Sequence, residues 1–507
     1  MDKSISIQNY ENIPTKRVYR RDTITIRAKD SVHVRIETEN GISKEISEYF
    51  TFDVPGASFM PAYRNRYWDG KIRLYNVNTK LIYRGLIHHI KLFAEQRDYD
   101  LNILDGLDDI NDISTKEAEV FCENYKIKPR DYQIGAFAHA LRNERALILS
   151  PTASGKSLII FMLCDYIPGR KLVIVPTTSL VYQLDKDIKD YSGLNNSYCT
   201  HLIMSGQDKN ADADIFISTW QSIYKQPKKW FDQFDMVIGD EAHLFKAHSL
   251  TKIMTKLEKC DYRFGFTGTL DGTQTHRLVL EGLFGPVMKV ISTRELIDSK
   301  TIADLKIKAL VLKYSDASRK MMKEAKYDDE IKFIAGHAGR NNFIKNLALS
   351  RKGNTLILFQ MVEKHGKIIY DLINNNIDDK RKIFFIYGEV DAKEREYARE
   401  ITEKETNAII VASYGTFSTG INIRNLHNII FASPSKSRIR NLQSIGRGLR
   451  KGEQKTMATL YDISDDLSWK SWNNFTLKHF AIRLKMYNEE EFDYKIYNIR
   501  IKDDIYN

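Results

Sequence analysis

Between the apolar run ALILS and the apolar run SLIIFML stands the segment Ser150-Pro151-Thr152-Ala153-Ser154-Gly155-Lys156-Ser157. A glycine, a lysine and a hydroxyl in that order, at a strand-to-helix turn, are the groups that a chain of phosphates requires. Backbone N–H groups at the helix start face the anion, and the helix dipole adds a favourable field. Ser154 and Gly155 are expected at the nucleotide, Gly155 letting the backbone approach without a Cβ; Lys156 neutralises the outer phosphates, and the Ser157 hydroxyl is suited to ligate Mg²⁺. The common pattern opens on Gly or Ala where this chain has Ser150, so a slightly altered turn with retained function is expected. A second apolar strand, MVIGDEAH, delivers Asp240 and Glu241 at its carboxyl end. A carboxylate there can reach the cation held by the first loop, and its neighbour can orient or deprotonate a water. Asp240 is therefore the expected metal-site residue and Glu241 the expected base, with ATP and Mg²⁺ the expected small-molecule partners.

The elements that must position these groups are legible as two series. From about residue 115, short aliphatic strands (ALILS, KLVIVP, DIFIST, MVIGDEAH, YRFGFTGT) alternate with helical segments such as SLIIFMLCDYI and SLVYQLDKDIKDY. A second series follows after about residue 300: NTLILFQ, KIFFIYG, AIIVAS, NIIFAS and ATLYDI. Near-continuous apolar strands divided by helices predict a parallel sheet covered on both faces. The fold class expected is α/β, with two tandem parallel-sheet lobes preceded by a small α+β domain. The N-terminal part reads as short strands, RDTITIRAK and SVHVRIET alternating at period two, with a helix expected around Leu81 to Gln96. The acidic run DGLDDINDIS reads as a linker and helix cap, and the last forty residues are expected to pack back as helix.

Charge and cysteine content narrow the partners. The 507 residues carry 77 basic and 66 acidic side chains, a net +11. Eight of the basic groups (Arg64, Arg66, Lys71, Arg73, Lys80, Arg84, Lys91, Arg97) fall between Met60 and Arg97 against only Asp69 and Glu95. Tyr63, Tyr67, Trp68, Tyr75 and Tyr83 are interleaved with them. Basic groups meet phosphates and aromatic rings stack on splayed bases, so Arg64, Arg66, Trp68, Lys71 and Arg73 are candidate contacts to nucleic acid. The other reading of the stretch is that its aromatics are partly core and its arginines solvated. No apolar run approaches the ~20 residues that span a bilayer, and no secretory signal is expected at MDKSISIQNY. The four isolated cysteines, Cys122, Cys164, Cys199 and Cys260, fit neither a zinc site nor a disulfide framework, so a reducing cytoplasm and no membrane partner are expected.

Several motifs in order resemble those of the superfamily-two DEAH/DExH helicases and translocases, over roughly residues 115 to 465. Pro129-Arg130-Asp131-Tyr132-Gln133 is similar to the adenine-recognising segment, which makes Gln133 the implied base reader. Val175-Pro176-Thr177-Thr178 and Ser218-Thr219-Trp220-Gln221 are similar to strand-end motifs that hold a single strand's phosphates, implying contacts from Thr177, Thr178, Thr219 and Gln221. Thr267-Gly268-Thr269 resembles the element that couples hydrolysis to movement, and His243 is the implied link to it. A link between hydrolysis and nucleic-acid binding is the favoured reading of His243, an ordinary polar neighbour the other. In the second lobe, Ser413 to Asn422 resembles the next motif, with Gly420 implied at the nucleotide, although Asn422 stands where an acidic residue is frequent. Gln443-Ser444-Ile445-Gly446-Arg447-Gly448-Leu449-Arg450 resembles the last, which makes Gln443 a catalytic group and Arg447 and Arg450 arginine fingers. The two arginines are three apart and so share a helix face.

The lobes are therefore expected to be RecA-like, at 111–300 and 301–507, the second ending in a helical extension and the N-terminal domain occupying 1–110. The whole chain, including YRNRYWDGKIRLYN, is also similar to the recombination helicases of T4-like phages. That likeness implies an ATP-dependent DNA helicase or translocase on branched DNA: fork regression, branch migration and removal of RNA from RNA–DNA hybrids. A monomer is expected, because two lobes on one chain make a complete cleft; the phage likeness puts it in the host cytoplasm, with recombination or single-strand-binding proteins as partners. An RNA helicase of the DExH type and the motor of a restriction system remain alternatives. Against the second, the chain has no room for a nuclease or target-recognition domain and no evident PD…ExK pair.

Overall fold

In a computed structural model, residues 22–502 are described, apart from 124, 193–198, 379, 421–422 and 453–454. Two compact units divide the chain: one takes residues up to 109 apart from 30–32 and 84–86, and the other takes the remainder. The first holds strands β1 (Thr23–Ala28), β2 (His33–Glu37), β3 (Thr51–Asp53), β4 (Lys71–Arg73), β5 (Leu81–Tyr83) and β6 (Asp100–Ile103). Four of them form a mixed sheet in the order β5-β2-β1-β6, and β3 pairs with β4 in a separate ribbon. Period-two alternation turns Ile24, Ile26, Val34 and Ile36 inward. Helices Asn40–Tyr49 and Ile87–Gln96 cover them with Ile42, Ile46, Ile90 and Phe93. The second helix starts later than the sequence pattern predicts. Ile82 pairs with Val34 across β5 and β2, so residues 81–83 are held extended by the sheet.

The second unit contains two sheets of seven strands, each parallel throughout. The first lobe comprises β7 (Arg145–Leu149), β8 (Lys171–Val175), β9 (Thr200–Ile203), β10 (Ile215–Thr219), β11 (Met236–Asp240), β12 (Tyr262–Thr267) and β13 (Val287–Lys289). Their order is β13-β7-β12-β11-β8-β10-β9. The second lobe comprises β14 (Asp304–Lys313), β15 (Thr355–Phe359), β16 (Ile383–Ile386), β17 (Ile409–Ser413), β18 (Asn428–Phe431), β19 (Met457–Asp466) and β20 (Tyr494–Arg500). Their order is β16-β17-β15-β18-β19-β14-β20. Central strands such as β8, β10 and β15 are buried at every position, the signature of a sheet covered on both faces. Five strands in each lobe match the sequence expectation; β9, β13, β14 and β20 do not announce themselves, being short, polar or broken by lysines. Among the described residues no helix is long and apolar enough to cross a membrane.

Local chemistry sets the ends of these elements. Ser114 caps helix Thr115–Cys122 through a reciprocal pair, Glu117 N–H to Ser114 Oγ at 3.1 Å and Ser114 N–H to Glu117 Oε2 at 2.7 Å. Gly239 of β11 and Gly265 of β12 are register partners. A Cβ on either would lie within 2.8 Å of the Phe284 ring, and one on Gly239 within 2.7 Å of Phe245. The glycine pair thus makes a hollow that seats both rings and draws the turn Ala242–Lys246 onto the sheet directly behind Asp240 and Glu241.

The C-terminal forty residues depart from expectation: helix Phe475–Glu489 is followed by β20, which adds to the β14 edge. Exposed edge N–H and C=O groups of β14 find partners this way, which outweighs the weak apolar pattern of YKIYNIR. The helix is pinned by Arg483, which is fully buried. Its guanidinium donates to Asp462 Oδ2 at 2.9 Å, Ser464 Oγ at 2.6 Å and Ser435 O at 3.2 Å, and Tyr487 OH donates to the same Asp462 oxygen at 2.9 Å. Ser435 leads into helix Arg438–Gly448, so the C-terminal helix braces the segment that carries Arg447. Arg483→Met leaves the buried Asp462 carboxylate without its counter-charge and is expected to cost about 3–5 kcal/mol. A second-lobe melting transition unchanged in calorimetry would contradict this.

Candidate nucleotide cleft and nucleic-acid surface

The loop after β7 and the turn after β11 emerge at the carboxyl ends of strands separated only by β12, where open parallel sheets bind ligands. Helix Arg438–Gly448 of the second lobe faces them. The three elements enclose a cavity of about 190 Å³. Of the residues singled out by sequence, Gly155, Lys156, Ser157, Asp240, Glu241, Gln443, Arg447 and Arg450 all line it. The lobes touch directly there. Gln443 Nε2 donates to Glu241 Oε2 at 3.0 Å, and a Cβ on Gly446 would stand 2.7 Å from Thr152 Cβ. Tyr132 and Ala153 of the first lobe pack against the apolar core of the second.

Glu241 has a left-handed backbone (φ 51°), which a non-glycine residue adopts only where its surroundings impose it. The kink ends β11 and swings the carboxylate across the cleft towards Gln443. Burial raises the Asp240 pKa, and the adjacent Glu241 charge raises it further, with Lys156 opposing. Burial acts on Glu241 in the same sense, but the His243 hydrogen bond and the Lys156 and Arg447 charges outweigh it, so its carboxyl sits below the usual range. Burial lowers the pKa of Arg447, and it lowers that of Arg450 to about 10 with help from the Arg447 charge. Two guanidinium groups are thus held where their charge is costly, and a polyanion in the cavity would relieve that cost.

From Glu241 a polar chain leads to the end of β12. His243 Nδ1 lies 3.3 Å from Glu241 Oε2 and 3.0 Å from Thr267 Oγ1. The Thr267 hydroxyl donates to Thr269 O at 3.1 Å, so it accepts from His243, which puts the imidazole proton on Nδ1. His243, Thr267 and Thr269 are all buried, and hydrogen bonds join them in series.

Ser150, which departs from the common loop pattern, is buried and shares a 2.5 Å hydrogen bond with Ser154 Oγ; Ser154 in turn donates to Pro151 O. The pair stiffens the loop from inside, and Lys156 Nζ donates to Ser150 O at 3.4 Å. Gln133 does not line the cavity. Its Nε2 donates to Ser154 O and Gly155 O, each at 3.1 Å, and its Oε1 accepts from Arg130 N–H. In this conformation both amide protons go to the phosphate loop, and reading a base would require their exchange. Gly420 ends helix Tyr414–Gly420, its surroundings lie outside the described residues, and so does Asn422.

Sequence reasoning missed one wall of the cleft. Helix Thr178–Ser192 contributes Gln183 and Asp187, and Tyr191 OH lies 2.9 Å from Ser157 Oγ. Burial raises the Asp187 pKa, with its hydrogen bond to Ser157 opposing. The spacing of four among Gln183, Asp187 and Tyr191 was the available signal, since it places three polar groups on one helix face. At the start of that helix Thr177 is half-buried and Thr178 exposed, while Thr219 is buried at the end of β10, bonded to Ser222 Oγ at 2.9 Å, with Gln221 exposed beside it.

The basic-aromatic segment belongs to the first unit and projects from the β3–β4 ribbon. Asp69 binds Arg73 through both carboxylate oxygens and accepts from Lys71 N–H. The Arg73 hydrogen bond holds the Asp69 pKa at about 2. Trp68 is half-buried, its Nε1 donating to Lys71 O at 2.8 Å. These two therefore brace the ribbon. Arg64, Arg66 and Lys71 are exposed. Tyr75 is core, bonded to Ser43, whereas Tyr67 is 86% and Phe59 76% exposed, so the accessible rings are not the one the sequence favoured.

Two parallel-sheet lobes closing on a phosphate loop, a carboxylate pair and two arginines define an ATP-dependent helicase motor of superfamily two. Residues 126–272 match the model of the type III restriction enzyme res subunit, residues 339–452 the helicase conserved C-terminal domain, and residues 23–104 the N-terminal domain of DNA helicase UvsW. The chain is 35% identical over 506 residues to the ATP-dependent DNA helicase uvsW of Enterobacteria phage T4, covering 94% of this chain and 100% of that protein. The crystal structure of T4 UvsW aligns with a TM-score of 0.50 over 94% of this chain and 99% of that one. The type ISP restriction-modification enzyme LlaBIII bound to DNA, at 17% identity and TM-score 0.56 over 82% of this chain and 34% of that one, shares the fold. The chain belongs to the UvsW family of ATP-dependent DNA helicases.

The lobe contact at Gly446 makes a specific demand. Gly446→Ala places a methyl against Thr152, an overpacking worth about 1–3 kcal/mol, and should lower ATPase kcat by roughly tenfold or more without lowering Tm. Wild-type turnover in that variant would show that the lobes need not meet at this point.

Proposed function

We propose that this ATP-dependent DNA helicase works as a translocase on branched DNA, regressing forks, migrating branches and displacing RNA from RNA–DNA hybrids. The observation that carries the motor reading is the convergence of Lys156, Glu241, Arg447 and Arg450 on one cavity. The likeness to the T4 protein over nearly the whole chain, N-terminal domain included, supports the branched-DNA reading. Three functional domains are proposed, at 1–110, 111–300 and 301–507. A monomer suffices, because one chain supplies both walls of the cleft; recombination or single-strand-binding proteins are the proposed partners and the host cytoplasm the proposed setting.

In this reading the N–H groups of loop 154–157 and Lys156 bind the phosphates of ATP. Ser157 and Asp240 offer hard oxygen ligands on the same cavity, which fits Mg²⁺. When bound there, Mg²⁺ would supply charge neutralisation to the phosphates. Glu241, ionised because His243 and Lys156 favour its charge, holds the attacking water as a hydrogen-bond acceptor. Arg447 and Arg450 stabilise the transferring phosphoryl group only while the lobes are together, and Gln443 ties that closure to Glu241. The chain through His243, Thr267 and Thr269 carries the change to the strand ends near Thr177, Thr178, Thr219 and Gln221, which grip phosphates. ATP thereby shifts the lobe equilibrium, and a bound strand advances stepwise.

On the N-terminal unit Arg64, Arg66 and Lys71 are the phosphate contacts, with Arg73 and Trp68 shaping the ribbon. Unwinding of matched fork, four-way-junction, RNA–DNA hybrid and duplex RNA substrates tests the function. Activity on the first three and not on duplex RNA is expected, and preference for RNA would overturn it. Replacing Arg64, Arg66 and Lys71 together with Ala should weaken junction binding and flatten its salt dependence by up to about 3 in log–log slope. Glu241→Gln should lower phosphate release by roughly a hundredfold or more while ATP still binds; equal rates would remove Glu241 from its role.

A further inference from the structure

Lys455 is a lysine with 2% exposure in the second lobe, seven residues beyond the end of helix Arg438–Gly448. Its ammonium donates to three backbone carbonyls: Gly448 O, Arg450 O at 3.0 Å and Arg424 O at 3.1 Å. An ammonium has three donors and no acceptor, so the three carbonyls satisfy it completely. Burial pushes its pKa down to about 7, with the Glu403 carboxylate opposing. The charge is therefore kept inside the protein at a cost, and what it holds is specific.

Gly448 is the last residue of the helix that carries Arg447, and its carbonyl is one of those a helix end leaves unpaired, at the negative pole of the dipole. Arg450 lies two residues on, between one gripped carbonyl and the next. The third carbonyl, of Arg424, follows the segment 413–422, and the Arg424 N–H is itself fixed by Glu403 Oε1 at 2.6 Å. One buried cation thus joins the exit of helix Arg438–Gly448, which lines the cavity, to Arg424 in a different part of the second lobe. Arg447 is itself tied to helix Tyr414–Gly420, through Nη1 to Phe417 O at 2.5 Å.

We propose that Lys455 is a positioning residue for ATP hydrolysis: by clamping Gly448 O, Arg450 O and Arg424 O it sets the backbone from which Arg450 reaches the transferred phosphate. The proposal rests on the reading of Arg450 as phosphate-directed. An apolar side chain of the same length fills the site but leaves three carbonyls without a donor, so the turn at 448–450 relaxes and the guanidinium loses its aim. A shift of about an ångström in a charge-stabilising group is enough to slow the chemical step while ground-state binding is kept.

The test is steady-state DNA-stimulated ATPase of the full chain carrying Lys455→Met, Lys455→Gln, Arg450→Ala and the double variant Lys455→Met/Arg450→Ala. Lys455→Met is expected to lower kcat by about tenfold with the KM for ATP within about twofold of wild type, and Lys455→Gln, which keeps two donors, to fall between. In the Arg450→Ala background Lys455→Met should cost little more, because the group it aims is gone. Wild-type kcat in a folded Lys455→Met protein overturns the proposal, and so does a loss that multiplies fully with that of Arg450→Ala. If Lys455→Met does not fold, Lys455→Gln carries the same comparison. Normal turnover in Arg450→Ala would instead remove the arginine reading on which the proposal stands.

Discussion

The structure depends on bringing two guanidinium groups from one parallel-sheet lobe to within reach of a lysine and two carboxylates on another. Like charges and buried cations resist such an arrangement, and neither lobe by itself supplies the compensation. The 3.0 Å hydrogen bond from Gln443 to Glu241 and the seating of Gly446 against Thr152 are the contacts that meet this demand. Both are small. A hydrogen bond of this kind contributes about 1 kcal/mol net, so closure can be made and broken by a ligand whose affinity differs between the two states. A larger apolar interface at the cleft would hold the lobes shut.

Rigidity is placed elsewhere. The Gly239–Gly265 hollow seats two phenylalanines behind the acidic turn, and Ser150 with Ser154 braces the phosphate loop from inside. Arg483 with Asp462 ties the C-terminal helix to the approach of the arginine helix, and Lys455 closes its exit. These residues lie outside the cavity lining and use buried charge, a buried hydrogen bond or close packing, interactions intolerant of displacement. The groups that line the cavity are left to carry charge.

The N-terminal ribbon follows the opposite pattern. Arg64, Arg66 and Lys71 are exposed, Asp69 is bound to Arg73, and the most exposed of the large apolar side chains, Tyr67 and Phe59, are aromatic. Such a surface gains affinity by releasing counterions and by stacking, both insensitive to base sequence. That would suit the branched DNA proposed as substrate, which shape rather than sequence defines.

Sequence alone determined the lobes, because covered parallel strands must be apolar along their whole length, and ALILS, KLVIVP and NTLILF have no other stable use. It also determined the loop at Lys156 and the pair Asp240–Glu241, since phosphate and metal chemistry restrict both residue type and local spacing. The edge strands β9, β13 and β20 were not legible, because their place is settled by the neighbour they pair with, and β14, which lies between β19 and β20, was hidden by the lysines that interrupt its apolar run. Tertiary structure alone decided that Gln133 serves the loop backbone, that Trp68 is a brace while Tyr67 is open, and that Asp187, Tyr191 and Gly446 belong to the cleft. It decided Lys455 as well. These are matters of which atoms meet across hundreds of residues, and one-dimensional spacing encodes contacts only where a helix or strand period carries them.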